Sequence, residues 1–462
     1  MKHLAIDLGA SSGKIFVGEV ENSKFSIEEV HRFDDYLIKK EDCLVWDIEK
    51  IINNIYEGIN KANKKFDDIS SIGVDSWAVD FVLIDKEGKL IGDPISYREE
   101  RTLAVVDEVK SIFGDYGLYE KTGIQYQSFN SIYQLYYLKK YQPELLEKAD
   151  RFLMIPDYIS YILTGKKYNE YTNASSTQLL DPIKRDWDYD LIEKLGLPKK
   201  IFGKILQAPD LIGPIKNENI KTEKEINLIA VASHDTASAV VTVPEGEENL
   251  FLSSGTWSLL GDLIDRPLIN KKAFDENYTN EGGINKTIRF LKNINGMWIV
   301  QRLRIDLEKK YSFADLDSFV LGSNETATID LNDPVFLSPT SMKEAMVSYL
   351  EKNNYRGGLE VKDLMKIFYN SLVGLYKKSI SIIDDLTGVK HKSLYIIGGG
   401  SQAQILNQML KENLDLDIFI GPVEGSAIGN LMAQINLEEN IGLEEIRKLL
   451  KEAKLVKEIG HE

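Results

Sequence analysis

Cysteine is almost absent from this chain: Cys43 is the only one in 462 residues. An intramolecular disulfide and a cluster of metal-bound thiolates are therefore both excluded. Histidine is scarce as well. The five present (His3, His31, His234, His391 and His461) lie far apart, and none stand in H-x-x-x-H spacing, which argues against a zinc centre. Long apolar runs are missing too. The longest, Leu228 to Val243, is interrupted by His234 and Asp235 and is too short to span a bilayer. At the N-terminus Asp7 breaks the apolar stretch at once, so no secretory h-region is expected and a reducing, cytoplasmic setting is. Positive charge is in deficit: 56 Lys and Arg stand against 72 Asp and Glu, a formal net charge of −16. Nucleic acid and anionic membrane surfaces are thereby excluded as main partners. A phosphorylated small molecule is not, because it needs only a few local donors and a cation.

What remains is the balance of a globular protein, 43% hydrophobic and 28% charged. Its length suits two or three domains. The opening reads as a strand meander: Leu4 to Ile6, a turn over Asp7 to Gly13, a strand from Lys14 to Val20 and another over Phe25 to Val30. Ile48, Ile51, Ile52, Ile55 and Ile59 then predict a helix. Ser71 to Val74 and Phe81 to Ile84 predict strands, and residues 102 to 200 read as mostly helical. Pro244 to Asn249 is the best linker, dividing the chain into units 1–243 and 244–462. After it the opening theme returns, with an apolar strand, the turn Ser253-Ser254-Gly255-Thr256 and a second apolar strand. A strand over Lys392 to Ile397 ends in Gly398-Gly399-Gly400, and an amphipathic helix follows Gly442. The repeated strand–turn–strand motif implies a duplication, with two related lobes and a cleft between them.

Three glycine turns carry the chemistry. In the first, Gly9, Ala10, Ser11, Ser12, Gly13 and Lys14 offer backbone N–H groups, hydroxyls and a cation to an anion, and Asp7 stands where it would face a metal–phosphate group. It is not a Walker loop: Gly9 and Gly13 are one residue too close, Ile15 replaces the Ser/Thr, and a strand follows instead of a helix. The second turn, ending at Thr256, has the same small hydroxyl chemistry. The third, Gly398 to Gly400, opens a helical pattern carrying Leu406, Met409 and Leu410 and suits a flat ligand against the backbone. Taken singly, each of the first two turns is equally compatible with an ordinary glycine-rich hairpin, and the third falls short of a dinucleotide fingerprint, with Ala403 where glycine is needed and no acidic residue at the right distance beyond it. Their order and spacing together resemble the actin, hexokinase and Hsp70 ATPase superfamily.

Asp235 is the catalytic candidate. It ends an apolar run and starts a small-residue helix, a place from which its carboxylate fits the role of a base within hydrogen-bond reach of an alcohol hydroxyl. It equally suits a first-turn acid that complements the helix dipole, and in that place the dipole is expected to lower its pKa. His234 is either a donor to a sugar hydroxyl or a satisfied buried histidine. Asp75 and Asp80 flank Trp77, an aromatic between carboxylates that suits a sugar. An amphipathic strand would give the same pattern. Tyr97 to Thr102 reads as a solvated turn unless the fold brings it inward.

The motifs Asp-Leu-Gly-Ala-Ser-Ser-Gly at 7–13, Asp-Ser-Trp-Ala-Val-Asp-Phe at 75–81 and Tyr-Thr-Asn-Ala-Ser-Ser-Thr-Gln-Leu at 171–179 resemble the FGGY carbohydrate kinase family. So do Ala-Ser-His-Asp-Thr-Ala-Ser-Ala-Val at 232–240, Leu-Ser-Ser-Gly-Thr-Trp-Ser-Leu at 252–259 and Leu-Lys-Asn-Ile at 291–294. The resemblance covers nearly the whole chain. It implies an α/β fold of two ribonuclease H-like lobes, a monomer or small homo-oligomer, and transfer of phosphate from ATP with Mg²⁺ to O1 of L-rhamnulose. L-fuculose, L-ribulose, D-xylulose and glycerol are the rival acceptors, and a non-catalytic sugar sensor or actin-like ATPase is the rival class. It implies that Ala10, Ser11, Ser12, Gly13, Lys14 and Thr256 hold ATP phosphates, with Gln301, Gly398, Gly399 and Gly400 flanking the nucleotide. Asp235 would be the base, with Ala78, His234, Thr236 and Asn293 on the sugar; Asp80, from its place near Trp77, is assigned to the sugar as well, and Asp7, from its strand-end position, to the metal. Two positions depart from the family pattern: Ala78 stands where glycine is usual, and Lys14 where arginine is. The small-residue patch Glu424 to Asn430 reads as a helix packed closely on a neighbour, without chemistry.

Overall fold

The computed structural model describes residues 1–246, 248–337 and 339–460. Glu247, inside the expected linker, lies outside the described residues. The chain forms two compact units. The first comprises Met1–Pro244, Ile264–Phe290 and Gly425–Ala453, and the second Glu245–Leu263, Leu291–Glu424 and the remaining C-terminal segment.

The first unit is built on a six-stranded sheet. Its strands are β1 (Lys2–Leu8), β2 (Ser12–Glu21), β3 (Lys24–Asp34), β4 (Ile69–Ser76), β5 (Asp210–Pro214) and β6 (Asn227–Ala230). They run in the order β5-β6-β4-β1-β2-β3. The β1, β2 and β3 meander is antiparallel, whereas β1, β4 and β6 are parallel. Parallel neighbours require crossovers. Helix α1 (Ile48–Lys65) supplies the first, burying Ile48, Ile51, Ile55 and Ile59 on one stripe while Asp47 caps it by accepting from Lys50 N. Residues 77–226, which include β5, supply the second. They hold helices such as Ser131–Tyr141 and Ile155–Thr164, but also the strand Arg151–Met154 paired with Phe81–Ile84, so the helical expectation there holds only in part.

The second unit repeats this order. Strands β7 (Asn249–Ser254), β8 (Trp257–Ile264), β9 (Ile288–Asn295), β10 (Ser393–Ile397), β11 (Asp417–Ile420) and β12 (Lys457–Glu458) run β9-β8-β7-β10-β11-β12. The pair β7/β8 is antiparallel, and β7, β10 and β11 are parallel. From the meander outward the first sheet reads β3-β2-β1-β4-β6-β5 and the second β9-β8-β7-β10-β11-β12, so both share the order 3-2-1-4 followed by a further parallel strand, the ribonuclease H-like plan expected from the repeated motif. Among the described residues no helix is long and apolar enough to cross a membrane.

A division at residue 243 places two segments differently from the structure. Ile264–Phe290 and Gly425–Ala453 pack into the first unit. The reason lies in the side chains of helix α6 (Gly425–Glu439), α2 being Asp235–Val240, α3 Trp298–Asp306, α4 Val361–Thr387 and α5 Gln404–Asn413 in chain order. A Cβ at Gly429 would come within 1.7 Å of Ser238 O on α2, so only glycine allows this approach. On the same helix Asn430 donates to Asp75 and Gln434 to the Leu4 carbonyl. The small-residue patch is a close-packed helix, as its composition implies. It also carries Asn430, a polar contact to a buried acid that composition did not indicate.

Candidate active site

In the first unit the parallel strands β1, β4 and β6 end side by side, and their C-terminal loops form the site. Ligands of open α/β sheets bind outside such strand ends. Three backbone bonds knit the loops: Trp77 N donates to Leu8 O (3.1 Å), Ser76 N to Ser233 O (2.9 Å), and Gly9 N to Ser12 O (3.0 Å). Asp7, the loop Ala10 to Lys14, Ala78 and the Ser233 to Thr236 turn are thereby brought to one edge of one sheet.

Asp7 and Asp75 are register partners on adjacent parallel strands. Asp75 is fully buried, and Asn430 Nδ2 donates to its Oδ2 at 2.6 Å. Burial, followed by the neighbouring charge of Asp7, holds its pKa well above the usual carboxylate range. Two carboxylates so placed repel one another unless a proton or cation stands between them. Among the described residues no group of three or more His, Cys, Asp or Glu is arranged to hold a metal ion. A cation here would have to complete its shell with phosphate oxygens and water, the way Mg²⁺ is bound at nucleotides.

The turn that carries Asp235 is set by Glu170, a residue sequence reasoning missed. Its Oε2 accepts from Ser233 N (3.0 Å), Ser233 Oγ (2.9 Å) and Thr172 N (2.9 Å). Thr172 Oγ1 in turn accepts from His234 N (3.2 Å). Asn173 Nδ2 bridges the carbonyls of Trp77 (3.3 Å) and Ser233 (3.2 Å). The 171–179 motif contributes here through Thr172 and Asn173, while its neighbour Glu170 lies one residue outside.

Asp235 opens α2, and its side chain keeps 30% of its surface exposed, so a ligand reaches it. The structure reverses the expected pKa direction. Burial pushes the carboxyl up to about 6, outweighing the Thr236 N–H donated to Oδ1. A six-residue helix contributes too little dipole to offset that desolvation. His234 is buried, with its Nε2 3.4 Å from Asp235 Oδ1. Burial, and then the Arg289 charge, hold it well below its usual pKa, so it is neutral.

Ala78 is half-buried. Its backbone is pinned from the next residue: Val79 takes φ +67°, unusual for a β-branched side chain, and Ser131 Oγ (2.5 Å) and Gln134 Nε2 (3.2 Å) both donate to its carbonyl. Two sugar-facing expectations are corrected. Asp80 is fully buried, its carboxylate enclosed by donors from Trp46 Nε1 (2.6 Å), Trp77 Nε1 (3.1 Å), Tyr97 N (3.1 Å) and Gln134 Nε2 (3.2 Å). It has no surface left for a ligand. Burial raises its pKa to about 6 despite those donors. Trp77 is buried as well, packed 4.2 Å from the Trp46 ring centroid, and is a core aromatic instead of a sugar platform. The segment from Tyr97 is also not a solvated turn. The Tyr97 ring packs on Phe129, and Arg98 Nη2 donates to Ala10 O at 3.1 Å, placing a guanidinium against the first glycine turn.

The second unit repeats the arrangement at its own strand ends. Strands β7 and β10 are parallel neighbours with Ser253 opposite Ile397, which sets the turn at Thr256 beside the Gly398 turn. Gly398 takes φ +84° and lies against the Ser254 carbonyl, a conformation and a closeness that favour glycine. Thr256 is exposed, and Gln301 Nε2 on α3 donates to its Oγ1 at 3.2 Å. Asn293 is half-buried on β9.

Comparison with known proteins bears on this geometry. Residues 3–242 match the N-terminal domain, and residues 250–436 the C-terminal domain, of the FGGY family of carbohydrate kinases. The chain is 42% identical to a rhamnulokinase of Halalkalibacterium halodurans, over 97% of this chain and 96% of that one. It is 36% identical to a rhamnulokinase of Bacillus subtilis, over 98% and 93%. Among solved structures, a gluconate kinase of Lactobacillus acidophilus superposes with TM-score 0.80 at 18% identity, covering 99% of this chain and 92% of its own. A Plasmodium falciparum glycerol kinase with ADP gives TM-score 0.82 at 15% identity, with 97% and 92% covered. At these identities the two structures speak for the fold alone.

Proposed function

The chain belongs to the FGGY family of carbohydrate kinases, and we propose that it transfers the γ-phosphoryl group of ATP to O1 of L-rhamnulose in the cytosol, with Asp235 as the base. The relatives that share its whole length and carry the name rhamnulokinase support the choice of sugar. One observation carries the mechanism: a carboxyl at the mouth of a strand-end site, reachable from outside, with its pKa raised to about 6. A base poised near neutral pH accepts a hydroxyl proton more readily than an ordinary aspartate. In the reaction the O1–H proton passes to Asp235, O1 bonds to the γ-phosphorus, and ADP leaves. The loose transition state requires that proton only late, so orientation counts as much as basicity.

In the first unit the sugar is assigned to Ala78, through its pinned backbone, and to His234 and Thr236; in the second unit, taken by itself, Asn293 is the sugar candidate. For the nucleotide, the first unit offers Ala10, Ser11, Ser12, Gly13 and Lys14, and the second unit, taken by itself, offers Thr256, Gln301 and Gly398 to Gly400. Mg²⁺ fits the Asp7 and Asp75 pair, with Asp7 toward the ion, and would neutralise charge on the phosphates. The test is sugar-dependent ADP release over L-rhamnulose, L-fuculose, L-ribulose, D-xylulose and glycerol. We expect L-rhamnulose to lead the panel in kcat/KM by at least tenfold, about 1.4 kcal/mol. Another sugar in first place would refute the substrate, and no sugar-dependent ADP release would refute the kinase.

A further inference from the structure

Arg289 is fully buried at the start of β9, whose first residues, up to Phe290, belong to the first unit, and none of the sequence motifs includes it. A buried guanidinium is costly unless its donors are used. Its Nε donates to Gly282 O at 2.9 Å. Its Nη2 reaches His234 Nδ1 at 2.9 Å as a hydrogen bond, while Glu281 Oε2, 3.0 Å away, makes an ion pair without hydrogen-bond geometry, and Nη1 is left without an acceptor. Arginine has no acceptor and does not lose its proton. A donor at 2.9 Å from Nδ1 therefore requires Nδ1 to accept, and the proton of the neutral ring must sit on Nε2. Among the described residues Glu281 Oε2 is another polar contact of Nδ1, at 3.5 Å. An Nδ1–H aimed there would oppose the closer Arg289 proton.

We propose that Arg289 is the positioning residue that locks His234 as its Nε2–H tautomer, so that the imidazole donates to the sugar oxygen facing Asp235. Nε2 lies 3.4 Å from Asp235 Oδ1, too long for a strong hydrogen bond between them but suited to a shared oxygen. Asp235 takes a proton from that side of the sugar while His234 gives a hydrogen bond, so the pair reads one group as donor to the acid and another, or the same oxygen once deprotonated, as acceptor from the imidazole. Glu281 balances the Arg289 charge, and the Nε bond to Gly282 O holds the guanidinium in place. The site thereby distinguishes a sugar oxygen that accepts from a group that only donates.

This inference rests on the assignment of His234 and Asp235 to the sugar, and its test does not need turnover. Two-bond ¹H–¹⁵N correlation on the full-length protein, with His234→Gln used for assignment, reports which ring nitrogen bears the proton. We expect a protonated Nε2 and a bare Nδ1 in the unaltered protein across neutral pH. A protonated Nδ1, or a charged ring, would overturn the proposal without any variant. In Arg289→Gln we expect mixed tautomers and a fall of about 100-fold in kcat/KM for the sugar, the scale of a reacting group displaced by about an ångström. The KM for ATP should stay within about twofold. Arg289→Lys keeps the charge but not the fork, so it should recover folding and little of the sugar kcat/KM. Full sugar kcat/KM in either folded variant would overturn the proposal. Asp235→Asn measured beside them separates the two readings. Retained turnover there would remove the base, while the tautomer and the Arg289 variants would still decide the role of Arg289.

Discussion

Asp235→Asn should do two opposite things at once: abolish most turnover and make the protein more stable at neutral pH. The second effect follows from the direction of the pKa shift. Burial raises the carboxyl from 3.8 to about 6, so the folded state holds its proton more tightly than the unfolded chain does. Between those two values the folded state binds the extra proton, and stability falls as pH rises. Above pH 6 the charged carboxylate has lost the full difference, about 3 kcal/mol at about 1.4 kcal/mol per pH unit. The side chain keeps 30% exposure, so solvent screening reduces the realised effect to about 1–3 kcal/mol. Asparagine keeps an oxygen for the Thr236 N–H and carries no charge. Its melting temperature should exceed that of the unaltered protein at pH 7.5, and the gain should vanish near pH 4, where both are neutral. Turnover should fall by about 10²–10⁴, the usual contribution of a general base. In the unaltered protein, kcat/KM for the sugar should decline below pH 6. Equal or lower melting at pH 7.5 would refute the desolvation argument, and near-normal turnover would refute the base.

Two further outcomes test the packing of each unit. Gly429→Ala should destabilise the first unit by about 1–3 kcal/mol in urea melts, because the added Cβ would meet Ser238 O within 1.7 Å. An unchanged midpoint would mean α6 and α2 are not so close. His391 in the second unit is buried. Burial alone lowers its pKa, but Asp262 Oδ2 (3.2 Å) and Asp384 Oδ1 (2.6 Å) outweigh that and raise it. Its contribution to stability is therefore full below about pH 6.5 and lost as pH rises through the raised folded value. His391→Gln should lower the melting temperature more at pH 6 than at pH 9, and a pH-independent loss would show that the ion pairs contribute nothing.

Much of this architecture was legible along the chain because it depends on neighbours in sequence. The isoleucine stripe of α1, the strand–turn–strand openings of both sheets and the glycines at 398 to 400 are local patterns with local causes. The motif at 232–240 likewise placed Asp235 at the start of a helix before any coordinates did. What could not be read is whatever depends on burial and on distant partners. Asp80 looked like a sugar ligand because an acid beside a tryptophan often is. Only the packed Trp46, Tyr97 and Gln134 around it show that its carboxylate is already spent on protein donors.

The sequence by itself determined the family, the repeated sheet plan and the residue types offered at each strand end, since these follow from periodicity, turn chemistry and motif order. The tertiary structure decided the electrostatics. Arg289 meets His234 across 55 positions, Arg98 meets Ala10 across 88, and Asn430 meets Asp75 across 355. No local pattern encodes such pairs, because they exist only once the sheet has brought the ends of separate segments together. The direction of the Asp235 shift is decided in the same way: the helix dipole is written in the local sequence, while the stronger desolvation comes from the atoms that fold around it.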